Sequence, residues 1–308
     1  MHLCADGGPR ALEQLPELDA DGLAAIIDAA LTRQLAAGVT AVRDLGDVQW
    51  AVVERRDTPV GRPWIVASGP PLTSSGGHCA NMGGEVVGRD AIVAAVAERA
   101  ERGADVIKVM TSGGLLTPGT DLAACNFTDA TRIVRAGIPV CPTIGWDPDR
   151  PIGPEILAVL ARFGLGFDDV RSHVAELYRA GLRLISGSDA GVSLAKPHGV
   201  LRESVIDLIV LGVPSDEALA SATGRAADVV GLGDRTGRLR AGLAADLLIV
   251  DGDPLTDPTA LRDVRTVVAR GVAYSWHESH TAEHDRGREP PRQCTPRAVG
   301  DHRRRPHR

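Results

Sequence analysis

Lysine is scarce in this chain. Of its 34 basic residues only Lys108 and Lys196 are lysines; the rest are arginines. Arginine keeps its proton, whereas a lysine in apolar surroundings can lose it and act as a nucleophile or ligand, so each surviving lysine is a candidate for chemistry. Lys108 splits the apolar run Val106-Ile107 and Val109-Met110 and precedes the turn Thr111-Ser112-Gly113-Gly114. An ammonium in a strand buried on both faces must find a partner or be neutralised. A lysine on a strand face paired with a carboxylate satisfies the same pattern.

Carboxylate and imidazole candidates follow. Asp189, in Gly187-Ser188-Asp189-Ala190-Gly191, comes directly after an apolar run. That places it at the C-terminal end of a strand, where barrel active sites are assembled, although an Asp capping the next loop fits equally. His78 lies in the glycine-rich stretch 74–84; glycines let a ligand approach the backbone, and the imidazole could meet a carbonyl or carboxylate, or simply face solvent. His198, in Lys196-Pro197-His198-Gly199, reads first as a helix-entry signal and second as a pocket residue. His173 falls within a helical pattern, packed or solvated. His277, His280 and His284 have ligand-like spacing but no surrounding core to orient them. Cys4, Cys79, Cys125, Cys141 and Cys294 are odd in number and scattered, so they form neither a disulfide framework nor a Cys-x-x-Cys knuckle.

The elements that must position these groups alternate in type. Apolar residues at three- and four-residue spacing predict a helix over 19–37, stopped by Gly38 and followed by a strand at 39–42. Strands at 63–68, 105–110, 138–143 and 182–188 alternate with helices at 90–102, 130–135, 155–162 and 168–179; helices at 198–211 and 215–230 follow. Short apolar strands separated by helices predict a parallel sheet covered by helices, as a (β/α) barrel or an open doubly wound sheet. After Gly231 the pattern changes to strands and tight turns, with a hairpin or a pair of edge strands at 264–274. This gives three parts: residues 1–231, a small β unit at 232–274, and an Arg-, Pro- and His-rich tail at 275–308 without periodicity.

Composition narrows the class. At 308 residues the chain has room for one large domain with a small accessory unit. With 44% hydrophobic and 24% charged residues it reads as globular, and only 3% aromatics leave the core to Ala, Val, Leu and Ile. A net charge of −6 offers no general attraction to nucleic acid or anionic membrane. No apolar run is long enough to span a bilayer, and the first residues lack a signal-peptide pattern. The expectation is a cytoplasmic enzyme with a small-molecule substrate.

In order along the chain, Gly38-Val-Thr-Ala-Val-Arg-Asp-Leu-Gly46, the Gly-Gly-His78 loop, Val106-Ile-Lys-Val-Met-Thr-Ser-Gly-Gly114, Gly187-Ser-Asp-Ala-Gly191 and Gly237-Arg-Leu-Arg-Ala-Gly-Leu-Ala-Ala-Asp-Leu247 resemble the metal-dependent amidohydrolases. The likeness is to the imidazolonepropionase and Xaa-Pro dipeptidase (prolidase)-like branch and runs to about Tyr274. It implies a (β/α)8 TIM-type barrel with a composite β-sandwich, holding two divalent metals, usually zinc. It also implies hydrolysis of a C–N bond in a cyclic amide or peptide-like substrate by a metal-activated water. Carried over by position, Lys108 is the carboxylated bridging ligand, Asp189 the last ligand and the proton acceptor, and His2 the second histidine of the family's His-x-His pair. His78, Ser112, Gly113 and His198 fall on substrate-binding positions.

Two departures from the family pattern set further expectations. The sequence opens Met1-His2-Leu3, so the first histidine of the pair and the early β-sandwich strands have no counterpart, and the expectation is an N-terminal truncation or a start placed at an internal Met. Near residues 122–132 two βα units carrying ligand histidines are missing, so the barrel is expected to be incomplete. Its exposed edges would then be prone to pairing with a second copy, giving a homo-oligomer. Two readings of different class follow from the missing ligands: a catalytically impaired amidohydrolase remnant, or a non-catalytic binding partner of an intact relative. A third reading, an open α/β protein holding an anion on the loop 74–84, lacks the glycine spacing of a nucleotide fingerprint.

Overall fold

The protein is described here by a computed structural model covering residues 1–57, 59–114, 136–275 and 297–298. The expected helix at 130–135 and the expected gap near 122–132 lie outside the described residues, as do His277, His280 and His284.

The first helix, α1 (Ala20–Ala36), starts at Asp19, whose side chain accepts the Gly22 N–H at 2.8 Å. Leu23, Ile27, Ala30 and Leu31 form its buried stripe. Gly38 ends it at φ +84°, and the Val39 N–H bonds back to the Gln34 carbonyl. That bond takes the backbone of Val39 for the cap, so the strand expected at 39–42 begins later, as β1 (Ala41–Asp44). β1 pairs in parallel with β2 (Trp64–Ala67), from Ala41↔Trp64 to Asp44↔Ala67. The crossover between them contains α2 (Ala51–Arg55), which the sequence pattern did not indicate. Its second and third N–H groups, from Val52 and Val53, donate to one Asp47 oxygen at 2.8 and 3.3 Å.

Around this pair stand extended segments joined by a few bonds each. The Asp105 N–H donates to the Ala67 carbonyl, and Leu72 bridges Val109 in parallel. On the other side the Leu45 N–H donates to the Met1 carbonyl and the His2 N–H to the Ala190 carbonyl. Val140 then bridges Leu184 in parallel. The order 105–110, 64–67, 41–45, 1–3, 182–190, 138–143 follows as an arc of segments, in which the β1–β2 pair and the Val140–Leu184 bridge are parallel. The strands expected at 105–110, 138–143 and 182–188 are present as single bridges rather than ladders.

Helices α3 (Arg89–Glu101), α4 (Pro154–Arg162), α5 (Phe167–Arg179) and α6 (Leu201–Val210) match the expected periods. The single helix expected at 215–230 is two, α7 (Ser215–Ala222) and α8 (Gly224–Val229), broken at Thr223. The break has a cause: the Ser221 carbonyl accepts from the Ser186 N–H at 2.9 Å, and the two serine hydroxyls bond at 2.7 Å. The carbonyl that would have continued the helix is spent on the neighbouring segment.

β3 (Leu247–Val250), β4 (Val264–Ala269), β5 (Val272–Ser275) and β6 (Arg297–Ala298) form an antiparallel sheet in that order. The tail expected to lack structure thus contributes one short strand; its other described residue, Ser275, ends β5. The sheet is locked to the β1–β2 region by Asp246, whose carboxylate accepts from the Trp64 indole at 3.1 Å, the Thr236 hydroxyl at 2.6 Å and the Arg270 N–H at 2.7 Å. Two cores result. One joins α1, β1 and β2 to Leu3 and Met82; the other packs Leu182 and Leu184 against α6 and α7.

Candidate active site

The centre of the arc is where residues 1–3 meet the end of the 182–190 segment. His2 is buried, and its Nδ1–H donates to the Gly46 carbonyl at 2.8 Å. A carbonyl only accepts, so the neutral ring carries its lone pair on Nε2, which stands 3.8 Å from Asp189 Oδ1. This is the tautomer and second-sphere bond of a metal-ligating imidazole. Gly46 and Leu3 are themselves fixed by the buried Asp44 carboxylate, which accepts the Leu3 N–H at 2.6 Å and the Gly46 N–H at 3.1 Å. Burial pushes the Asp44 carboxyl up, partly offset by the charges of His2 and the amino terminus.

Asp189 adopts the left-handed region at φ +50°, uncommon for a residue other than glycine and a mark of backbone held by its surroundings. Burial raises its proton affinity, but the charges of His2, the amino terminus, Lys196 and Lys108 together hold the carboxyl below the ordinary range. It is an anion at neutral pH. Lys108 is half-buried, and its neighbour Val109 is 51% exposed, so the strand is not buried on both faces. Among the described residues its backbone bonds run along the Leu72 side: the Leu72 N–H donates to the Lys108 carbonyl and the Met110 N–H to the Leu72 carbonyl.

His78 is half-buried in the same region. Burial lowers its pKa, the charges of His2 and Lys108 lower it further, and Asp189 opposes them. The turn after Lys108 folds over the ring, since a Cβ on Gly114 would sit 2.1 Å from His78 Cε1. Ser112 and Gly113, half-buried, belong to that turn. His2, His78, Lys108 and Asp189 are thus brought within mutual electrostatic reach.

His198 is different. Its Nε2–H donates to the Ala5 carbonyl at 2.8 Å and its Nδ1 accepts from Gln34 Nε2 at 3.1 Å. Burial pushes it down to about 4, so it stays neutral. Both nitrogens are spent on tying α1 to the chain's first segment, which corrects the expectation of a substrate contact. The helix it was expected to open begins three residues later, at Leu201. His198 borders a charged cleft of about 720 Å³, also lined by Asp6, Arg33, Asp147, Arg150 and Arg202. His173 is exposed, 3.4 Å from Glu176.

The residue that inspection of single motifs passed over is Lys196, although lysine scarcity pointed to it. It is 4% exposed, with Nζ bonded to the carbonyls of Thr143 and, at 3.0 Å, Ser188, and 4.4 Å from the centre of the Trp146 ring. Burial pushes it down to about 8, opposed by Asp189, Cys141 and Asp207. The thiols near the site are kept protonated: burial raises Cys79 to about 12 and raises Cys4 and Cys141 as well. None has the depressed pKa of a cysteine nucleophile.

Among the described residues no group of three or more His, Cys, Asp or Glu side chains is placed to hold a metal. His2 Nε2 and Asp189 supply two donors of the right chemistry on adjoining segments, and Lys108 adds an amine, the one side-chain type here that carbon dioxide can convert into a carboxylate ligand. The set fits one open side of a divalent-metal site rather than a closed cage.

Comparison with known proteins bears on this geometry. Residues 96–275 match the model of the amidohydrolase family. A 79-residue stretch, 26% of this chain, is 42% identical to the amidohydrolase tasK of Hapsidospora irregularis and spans 8% of that protein's length. Among solved structures, a prolidase complexed with N-methylphosphonate-L-proline superposes with a TM-score of 0.73 at 23% identity, covering 90% of this chain and 85% of that one. A Xaa-Pro dipeptidase with bound methionine gives 0.68 at 20% identity, covering 89% and 84%. The ochratoxinase of A. niger gives 0.64 at 17% identity, covering 90% and 82%. These likenesses are of fold, and the fold is of the TIM-barrel type.

Proposed function

This chain belongs to the amidohydrolase family, and we propose that it hydrolyses a C–N bond in a small cyclic-amide or peptide-like substrate. The observation that carries the reading is the facing pair His2 Nε2 and Asp189 Oδ1, 3.8 Å apart, with Lys108 and His78 in electrostatic reach. In this reading residues 1–231 form an incomplete (β/α)8 barrel that holds the site, and 232–274 form the β unit beneath it. No helix among the described residues is long and apolar enough to cross a membrane. The setting is taken to be the cytoplasm, with association between copies through the open edge.

Each side chain has a defined task. Asp189, ionised at neutral pH, takes a proton from the attacking water and returns it to the leaving nitrogen. His2, with Nδ1 held on the Gly46 carbonyl, turns Nε2 to the same space. His78, kept largely neutral by burial, stands with Ser112 and Gly113 beside the space where the substrate carbonyl would lie. A carboxylate held below its usual range is a weak base, so the water it deprotonates must itself be acidified. His2, Asp189 and a carboxylated Lys108 would hold a divalent metal, zinc in this reading, which would supply that acidity and polarise the carbonyl.

The test is amine release from a panel of dipeptides and cyclic amides, with zinc and bicarbonate supplied. The reading expects release by the wild-type protein and its loss in Asp189→Asn. Equal release by both proteins, or none from any substrate, would overturn it.

A further inference from the structure

We propose that Lys196 is a positioning residue for Asp189. Its ammonium clamps the ends of two neighbouring segments and so fixes the backbone from which the carboxylate projects. The inference rests on the reading above, in which Asp189 acts on the reacting atoms.

Nζ of Lys196 has three hydrogens and three acceptors around it. It donates to the Thr143 carbonyl, at the end of the 138–143 segment, and to the Ser188 carbonyl, at the end of the 182–188 segment. The third side faces the Trp146 ring at 4.4 Å, a cation–π contact strengthened by desolvation. Trp146 is in turn held edge-on by Phe167, with ring centres 5.3 Å apart.

What the clamp holds is unusual backbone. Thr143 and Asp189 both have φ near +50°, and Thr143 is β-branched, for which that conformation is a true outlier. Such conformations persist only where the surroundings over-determine them. Here the carbonyl of one outlier, and the carbonyl immediately before the other, accept from the same ammonium. Backbone bonds close the rest of the loop: Gly191 N–H to the Lys196 carbonyl at 2.8 Å, Lys196 N–H to the Ser193 carbonyl at 3.0 Å, and Asp147 N–H to the Ala195 carbonyl at 2.9 Å. An arginine could not replace the lysine, because its planar fork cannot address two carbonyls and an aromatic face from one atom.

Lys196→Met keeps the apolar stem and removes the ammonium. With activity present, kcat is expected to fall about thirtyfold or more while KM stays within about twofold, since the loss is in geometry at the reacting atoms. Lys196→Arg is expected to recover less than about a third of that loss. An unchanged kcat in folded Lys196→Met would overturn the proposal.

A readout independent of activity separates this idea from the proposed function. The chain holds only two lysines, so 15N,13C-lysine labelling gives two side-chain signals, told apart by Lys108→Met. Lys196 should show slow ammonium exchange and an upfield ring-current shift that Trp146→Leu abolishes. With 13Cγ-aspartate labelling, the Asp189 signal, identified by its loss in Asp189→Asn, should move in Lys196→Met. A freely exchanging Lys196, or an unmoved Asp189 signal, would overturn the clamp even in a protein that hydrolyses. The expected signals in a protein that hydrolyses nothing would support the clamp and sink the function.

Discussion

Nε2 of His2 stands 3.8 Å from Oδ1 of Asp189, joining residues far apart in sequence across the meeting point of the first segment and the 182–190 segment. The separation exceeds a hydrogen bond, and neither group is spent on the other. Around them, Asp44 fixes Leu3 and Gly46, and Lys196 fixes Ser188. Both members of the pair are therefore set by the backbone beneath them, which is what a reacting centre requires.

The first prediction concerns the reacting groups. Asp189→Asn removes the proton acceptor and Lys108→Arg removes the amine that can be carboxylated; each is expected to lower turnover by about 10²–10⁴-fold. Initial rates of amine release, with circular dichroism to confirm folding, check this. Turnover retained in folded Lys108→Arg would contradict the role given to that lysine.

Gly114 tests the placement of His78. Its missing Cβ leaves room for the imidazole, and Gly114→Ala puts a methyl 2.1 Å from Cε1, so the ring must move. Turnover is expected to fall roughly tenfold to a hundredfold by misplacement near the substrate. Unchanged turnover would mean that His78 does not face the substrate.

A pH dependence of stability follows from Asp47. Burial, with the neighbouring Asp44 charge, pushes this carboxyl up to about 7, and its Oδ1 has no hydrogen-bond partner. The ordinary value in the unfolded chain is about 3.9. The native state therefore binds the proton more tightly. Its contribution is fully present below about pH 4 and is lost as pH rises through about 7. The loss is on the order of a few kcal/mol. Asp47→Asn keeps an oxygen for the Val52 N–H and removes the ionisation. Urea midpoints at pH 5 and pH 8 should then fall less with pH in the variant than in the wild type, and an equal fall would contradict the assignment.

Asp246 tests the join between the sheet and the β1–β2 region. Asp246→Ala leaves the Trp64 indole, the Thr236 hydroxyl and the Arg270 N–H without their acceptor. A loss of about 2–4 kcal/mol is expected in chemical denaturation, with Asp246→Asn milder. A variant as stable as the wild type would show that the sheet is held elsewhere.

The sequence carried the local features well, because they depend on local chemistry. Gly38 as a stop and the apolar stripe before it define α1 to within a residue at each end. The strands at 264–274 were legible too, and of the two arrangements left open β4 and β5 form the hairpin. What was not legible depended on distant partners. The break at Thr223 arises because Ser186 takes the Ser221 carbonyl, and the first turn of α2 is held by Asp47, which accepts from Val52 and Val53. Of the site, Lys108, Asp189, His2 and His78 were named from residue type, motif and family likeness. His198 was misread, since a histidine at a helix entrance looks the same in sequence whether its nitrogens are free or spent. Lys196 stood out by rarity alone; that its ammonium meets Thr143 and Ser188 required the fold.

The central claim is that His2, Lys108 and Asp189 form one working centre. Metal stoichiometry tests it most directly, on protein expressed with zinc and bicarbonate and measured by elemental analysis for the wild type and Lys108→Ala. The account predicts zinc bound at about one to two equivalents per chain in the wild type and essentially lost in the variant. A wild-type chain without bound metal, or equal binding by folded Lys108→Ala, would contradict it.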